Sequence, residues 1–132
     1  MIAFFARSAL PITDIIRRSG PLDALVLAAP CVQSLEEPEL AHHLAKGCFE
    51  RKTNIANNFR YEFLLWLTGK TDIKSAMAKA VPKDAGELLI ISFGEDKRHI
   101  LAALDAKESK KTLPLRGGPL RLEEISLSRI KN

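Results

Sequence analysis

The stretch KTNIANNFRYEFLLWLTGK, residues 52–70, packs three asparagines, three basic side chains and seven large apolar ones into one run. Phe59, Phe63 and Trp66 recur at i, i+4 and i+7, with Leu64 and Leu67 beside them. That spacing predicts a helix over 58–67, closed by Gly69. FLLWL is apolar nearly all round, so such a helix is either central to a core or shared with a partner. Phe59 and Phe63 are the expected core anchors, while Trp66 could serve either role. Asn54 or Asn57 is the expected N-cap, which accounts for one asparagine and not for three.

Working outward, Ser34 precedes LEEPELAHHLAKGCFERK, whose small and apolar residues repeat at helical spacing. Ser34 with Glu37 forms a capping-box pattern, and Pro38 falls in the first turn, where its missing N–H costs nothing. Downstream, TDIKSAMAKAV reads as a helix capped by Thr71 or Asp72, with Ile73, Ala76, Met77 and Ala80 as an apolar stripe opposite Lys74 and Lys79. GELLIISFG, 86–94, is the clearest strand, and MIAFFA and DALVLAAP are two further strand-length runs. ITDIIRRSG, with Thr13 or Asp14 as cap, and EDKRHILAALDAKE, 95–108, read as helices. The tail from 109 is turn-rich, with an amphipathic piece around Leu120–Leu127. Strands alternating with helices predict a single α/β (α+β) domain over 1–132: a small mixed sheet of three to five strands flanked by helices.

Hydrophobic residues make up 46% of the 132 and charged ones 27%, a balance that suits a folded domain and argues against disorder. No apolar run approaches the roughly 18–20 residues of a membrane-spanning helix. MIAFFARSALP has no basic leader before its apolar run, so no signal peptide is expected. Cys31 and Cys48 lack metal-site spacing and read as free thiols of a reducing cytoplasm. The formal charge is +4, unevenly spread: residues 46–83 carry eight basic and three acidic side chains. Such a field attracts polyanions, with a solvated lysine face as the competing reading.

Catalytic patterns are missing. There is no GxxxxGK[ST] and no GxGxxG, and RGGP at 116–119 reads as a turn. His42 and His43 point about 100° apart on a helix, the wrong relation for one metal ion. His99 sits on a charged helix start, and Glu36 and Glu37 bias a helix N-terminus rather than forming an acid/base pair. No cofactor and no metal is expected.

The order of features resembles the smallest-subunit family of the KEOPS complex, the PRPK-binding-protein (TPRKB-like) family in its archaeal form. The matching positions are His43 and Ala45, then Asn54-Ile55-Ala56, Glu62, Leu64-Leu65, Leu67-Thr68-Gly69, Ile73 and Ala76, within residues 40–93. Asp72 stands where the family usually has glutamine, and VPKDAG, 81–86, replaces another of its usual steps. The resemblance implies a non-catalytic, cytoplasmic accessory subunit in the biosynthesis of tRNA threonylcarbamoyladenosine. Such a subunit is a monomer within a hetero-complex. It binds and stimulates a small kinase/ATPase subunit and helps recruit tRNA through its 3′ CCA end.

On this reading Lys46, Lys52, Asn54, Asn57, Arg60 and Lys70 meet tRNA, and Trp66, Ile73 and Met77 meet the kinase subunit. The competing readings are a purely structural protein-interaction module without RNA contact, and a small enzyme with a site built from Asp14, His43 and Cys48.

Overall fold

A computed structural model describes residues 1–83 and 86–129. Two residues of the 81–86 step, and the last three of the chain, therefore lie outside the described residues. The chain is of mixed α and β class, and its contacts divide it into two units. One comprises Met1–Pro30 with Val81–Thr112; the other comprises Cys31–Ala80 with the segment from Leu113 onward.

The first unit is built on four strands: β1 (Ile2–Ser8), β2 (Ala24–Ala28), β3 (Glu87–Ser92) and β4 (Ala106–Glu108). Their order is β2-β3-β1-β4. Residues of one parity, Phe4, Ala6, Ala24, Val26, Leu88 and Ile90, share a core with Ile15 of α1 (Ile12–Ser19) and with Ile100 of α5 (Lys97–Ala103). Residues of the opposite parity, Phe5, Leu27, Leu89 and Ile91, are buried as well. Burial of both parities explains why these strands are continuous apolar runs rather than alternating ones.

The strand count lies within the expected three to five, but the expected mixed pairing is corrected. All three pairings are antiparallel. β1 and β2 run the same way, yet β3 lies between them, with Phe4 and Val26 both opposite Ile90, so no parallel pair forms. The expected helix 95–108 is also shorter than its sequence suggested. It ends at Ala103, and Asp105 takes a left-handed φ of 48°, a conformation its short polar side chain tolerates. The chain then turns back so that Ala106–Glu108 pairs with β1.

The second unit is helical: α2 (Glu36–Arg51), α3 (Phe59–Thr68), α4 (Ile73–Ala80) and α6 (Pro119–Ser126). Every residue of α3 from Glu62 to Thr68 is buried, so FLLWL is the unit's core. Asn58, rather than Asn54 or Asn57, is its N-cap, with Oδ1 accepting the Arg60 N–H at 2.8 Å. Gly69 closes the helix at φ 71°, where a side chain would be strained. Asp72 caps α4 by accepting the Ser75 N–H at 2.9 Å. Among the described residues no helix is long and apolar enough to cross a membrane.

Candidate nucleic-acid interface

All nine residues singled out for partner contact belong to the helical unit, so its internal framework governs their presentation. Two buried carboxylates dominate that framework. Glu62, fully buried on α3, accepts the N–H groups of Ile55 and Ala56 through Oε1, each at 2.9 Å. Its Oε2 takes Nη1 of Arg129 at 2.6 Å. Burial alone pushes this carboxyl's pKa up. The Arg129 and backbone hydrogen bonds, with the Arg129 charge, outweigh it and hold Glu62 below the usual carboxylate range. Glu62 thus pins the Asn54–Ala56 loop from behind, and Asn54 closes the loop by donating from Nδ2 to the Ala56 carbonyl at 2.8 Å.

Glu37 on α2 is the second carboxylate. Its Oε2 accepts the Gln33 N–H and the Ser34 hydroxyl, both at 3.1 Å, and its Oε1 takes Nε of Arg121 at 3.2 Å. Ser34 therefore donates to Glu37 instead of capping a backbone N–H, and α2 begins after Leu35. Arg121 also donates from Nη2 to the Leu67 carbonyl at 2.8 Å, satisfying an acceptor near the end of α3. Arg121, Ile125 and Arg129 recur at four-residue spacing, and Ile125 is fully buried between the two arginines in sequence. This i, i+4, i+8 pattern was present in the sequence, but the tail's other signals read as turn. Gly117 in that tail lies so close to Ser34 that an added Cβ would stand 2.6 Å from its Oγ.

Upon this framework the sequence-predicted residues fall into groups. Lys46 is exposed on α2, and Lys52 and Asn57 are exposed at the α2–α3 junction, where Asn54 and Arg60 are half-buried. Lys52 is the α2 C-cap and is held at φ 58°, a left-handed conformation unusual for lysine. Lys70 stands apart from this group. It follows α3, so the ten-residue helix, about 15 Å long, separates it from Arg60. Lys79 is engaged structurally, with Nζ donating to the Thr68 carbonyl at 3.0 Å.

The residues expected to meet a partner protein divide too. Ile73 and Met77, one turn apart on α4, are 38% and 37% exposed, whereas Ala76 and Ala80 of the same helix are fully buried. Trp66 is 7% exposed, and the Arg129 guanidinium lies 4.0 Å from its ring centroid, so it presents little surface. Asp14 belongs to the sheet unit, where its carboxylate pairs with Arg17 at 3.1 Å. His43 is exposed on α2, while Cys48 is buried and its sulfur accepts from Arg129 at 3.6 Å. Among the described residues no three or more His, Cys, Asp or Glu side chains are grouped to hold a metal ion.

Neither a protein-family model nor a curated protein sequence matches this chain.

Proposed function

We propose that the chain is a non-catalytic accessory subunit of the KEOPS complex, acting in tRNA threonylcarbamoyladenosine biosynthesis. It binds and stimulates the small kinase/ATPase subunit and helps recruit tRNA through its single-stranded 3′ CCA end. It works in the cytoplasm, as a monomer within a hetero-complex.

The observation that carries the RNA arm is the junction of α2 and α3. Lys46, Lys52 and Asn57 are exposed there, and the Asn54–Ala56 loop beside them is pinned by buried Glu62. Neither Lys46 nor Lys52 has an acidic partner among the described residues. Cations without partners beside amide side chains suit phosphate and base-edge contacts to an unpaired strand. The kinase arm is supported by Ile73 and Met77, an exposed apolar pair on a helix whose inward residues are alanines. Asp72, where the resembling family carries glutamine, is accounted for locally as the cap of α4.

The test is a gel shift with tRNA, run for the wild-type chain and for Lys52→Glu, Arg60→Glu and Lys70→Glu. Each phosphate that is no longer neutralised lowers affinity and flattens the salt dependence by roughly one unit of slope. Unchanged affinity and slope would refute the RNA arm. The second reading, a protein-interaction module without RNA contact, is favoured by one observation: part of the central positive charge is taken up structurally, as Lys79 is on the Thr68 carbonyl. Absence of any shift with tRNA, whether its CCA end is present or removed, would support that reading.

A further inference from the structure

The face of α2 that meets the start of α3 carries an aromatic cluster outside the residues already assigned. His42, Lys46 and Phe49 lie at i, i+4 and i+7, so they share one side of α2, with the lysine between the two rings in sequence. The first residue of α3, Phe59, bridges the rings. Its centroid is 5.5 Å from that of His42, with the planes at 76°, and 5.7 Å from that of Phe49.

These rings are not core in the sense that Phe63, Leu65 and Leu67 are. Those three are fully buried, whereas His42, Phe49 and Phe59 are each only half-buried. Aromatic surface thus reaches solvent beside an exposed lysine, and the exposed Lys52 follows one turn beyond Phe49. Burial, ahead of the positive charges around it, holds the His42 imidazole below its ordinary pKa.

Helix packing alone accounts for rings meeting edge to face. It does not account for a half-exposed cluster interleaved with lysines that lack acidic partners. Lys52 is the more telling because the chain holds it in a left-handed conformation where glycine would be unstrained.

We propose that His42, Phe49 and Phe59 form a stacking platform for an unpaired nucleobase, with Lys46 and Lys52 taking the phosphates that flank it. The inference rests on the RNA arm of the proposed function and specifies its site: a single-stranded end, held by base stacking and charge rather than by groove readout.

The experiment uses the full chain and a short single-stranded RNA ending in CCA, alongside the same RNA made abasic at those three positions. Phe49→Leu and Phe59→Leu keep apolar bulk and remove the stacking face. Each weakens binding of the CCA RNA roughly five- to hundredfold, the range for loss of one stacked base. Their salt slope is unchanged. Lys46→Gln with Lys52→Gln instead lowers the slope by roughly 0.7 for each phosphate that is no longer neutralised. Abasic RNA binds wild type as weakly as CCA RNA binds Phe59→Leu, and that variant does not distinguish the two RNAs. Phe59→Tyr, which retains a ring, keeps wild-type affinity and shows that a loss at this position is not a packing defect.

Leucine variants that bind like wild type, or that lose equally on abasic RNA, overturn the platform. If wild type binds the CCA RNA with a salt slope and only the phenylalanine variants are silent, the platform falls and the RNA arm stands. If wild type does not bind the CCA RNA, both fall.

Discussion

Arg129 donates to Glu62 at 2.6 Å across a site where the carboxylate is fully buried and the arginine side chain is 14% exposed. The same carboxylate holds the loop that carries Asn54, so this pair joins the end of the described chain to the candidate RNA-binding junction. Removing either partner strands the other. Glu62→Ala leaves the Arg129 charge and two backbone N–H groups without their acceptor, and Arg129→Met leaves a buried carboxylate. Each is expected to cost about 3–5 kcal/mol in urea unfolding. The double variant costs less than the sum, because neither charge is then left without its partner.

Acid acts on the same contact. Because the folded-state pKa of Glu62 lies below its unfolded value, its contribution is fully present above the unfolded pKa, about 4.3, and is lost as pH falls through the folded value. Thermal melts from neutral pH downward should show wild type losing stability in acid. Glu62→Gln should lack that part of the loss. Parallel pH profiles for the two would contradict the assignment.

Lys52 offers a separation of stability from function. Its φ of 58° costs a lysine about 1 kcal/mol that glycine does not incur. Lys52→Gly should therefore raise the unfolding free energy by up to about that amount while weakening RNA binding. A variant that gains stability and keeps full affinity would remove Lys52 from the interface.

On α4, neighbouring positions should respond in opposite ways. Ile73→Glu leaves the circular dichroism melt near wild type, within about 0.5 kcal/mol, because the side chain is well exposed. It should also abolish pull-down of the kinase subunit. Ala76→Leu, at a fully buried position, overpacks the helix and costs about 1–3 kcal/mol. Early melting of Ile73→Glu would mean that Ile73 belongs to the core.

Asp72→Ala removes the carboxylate that caps α4. The unfolding midpoint is expected to fall with the lost cap, and amide exchange checks it by faster exchange at Ser75.

What could be read in advance followed the physics of each signal. GELLIISFG and FLLWL are apolar runs dense enough to mark buried elements, and each is buried within its own unit. The antiparallel order was not legible, because the insertion of β3 between β1 and β2 depends on pairings between segments far apart in sequence and leaves no local trace. β4 was hidden by helix-forming residues on either side of Asp105, whose left-handed φ ends α5. Neither Arg121 nor Arg129 was singled out in the sequence. Their partners, Glu37 and Glu62, lie far earlier in the chain, and only the four-residue spacing through Ile125 hinted at an inward face. Trp66 was expected at the kinase interface; its burial beneath the Arg129 guanidinium leaves little of it exposed there.

The most direct measurement of the central claim is the affinity of the purified chain for tRNA with an intact 3′ CCA end, against the same tRNA lacking it, across a salt series. A tRNA-recruiting subunit binds the intact tRNA more tightly, with a salt slope that falls when Lys46 and Lys52 are neutralised. Equal binding of the two tRNAs, or no binding by either, would contradict it.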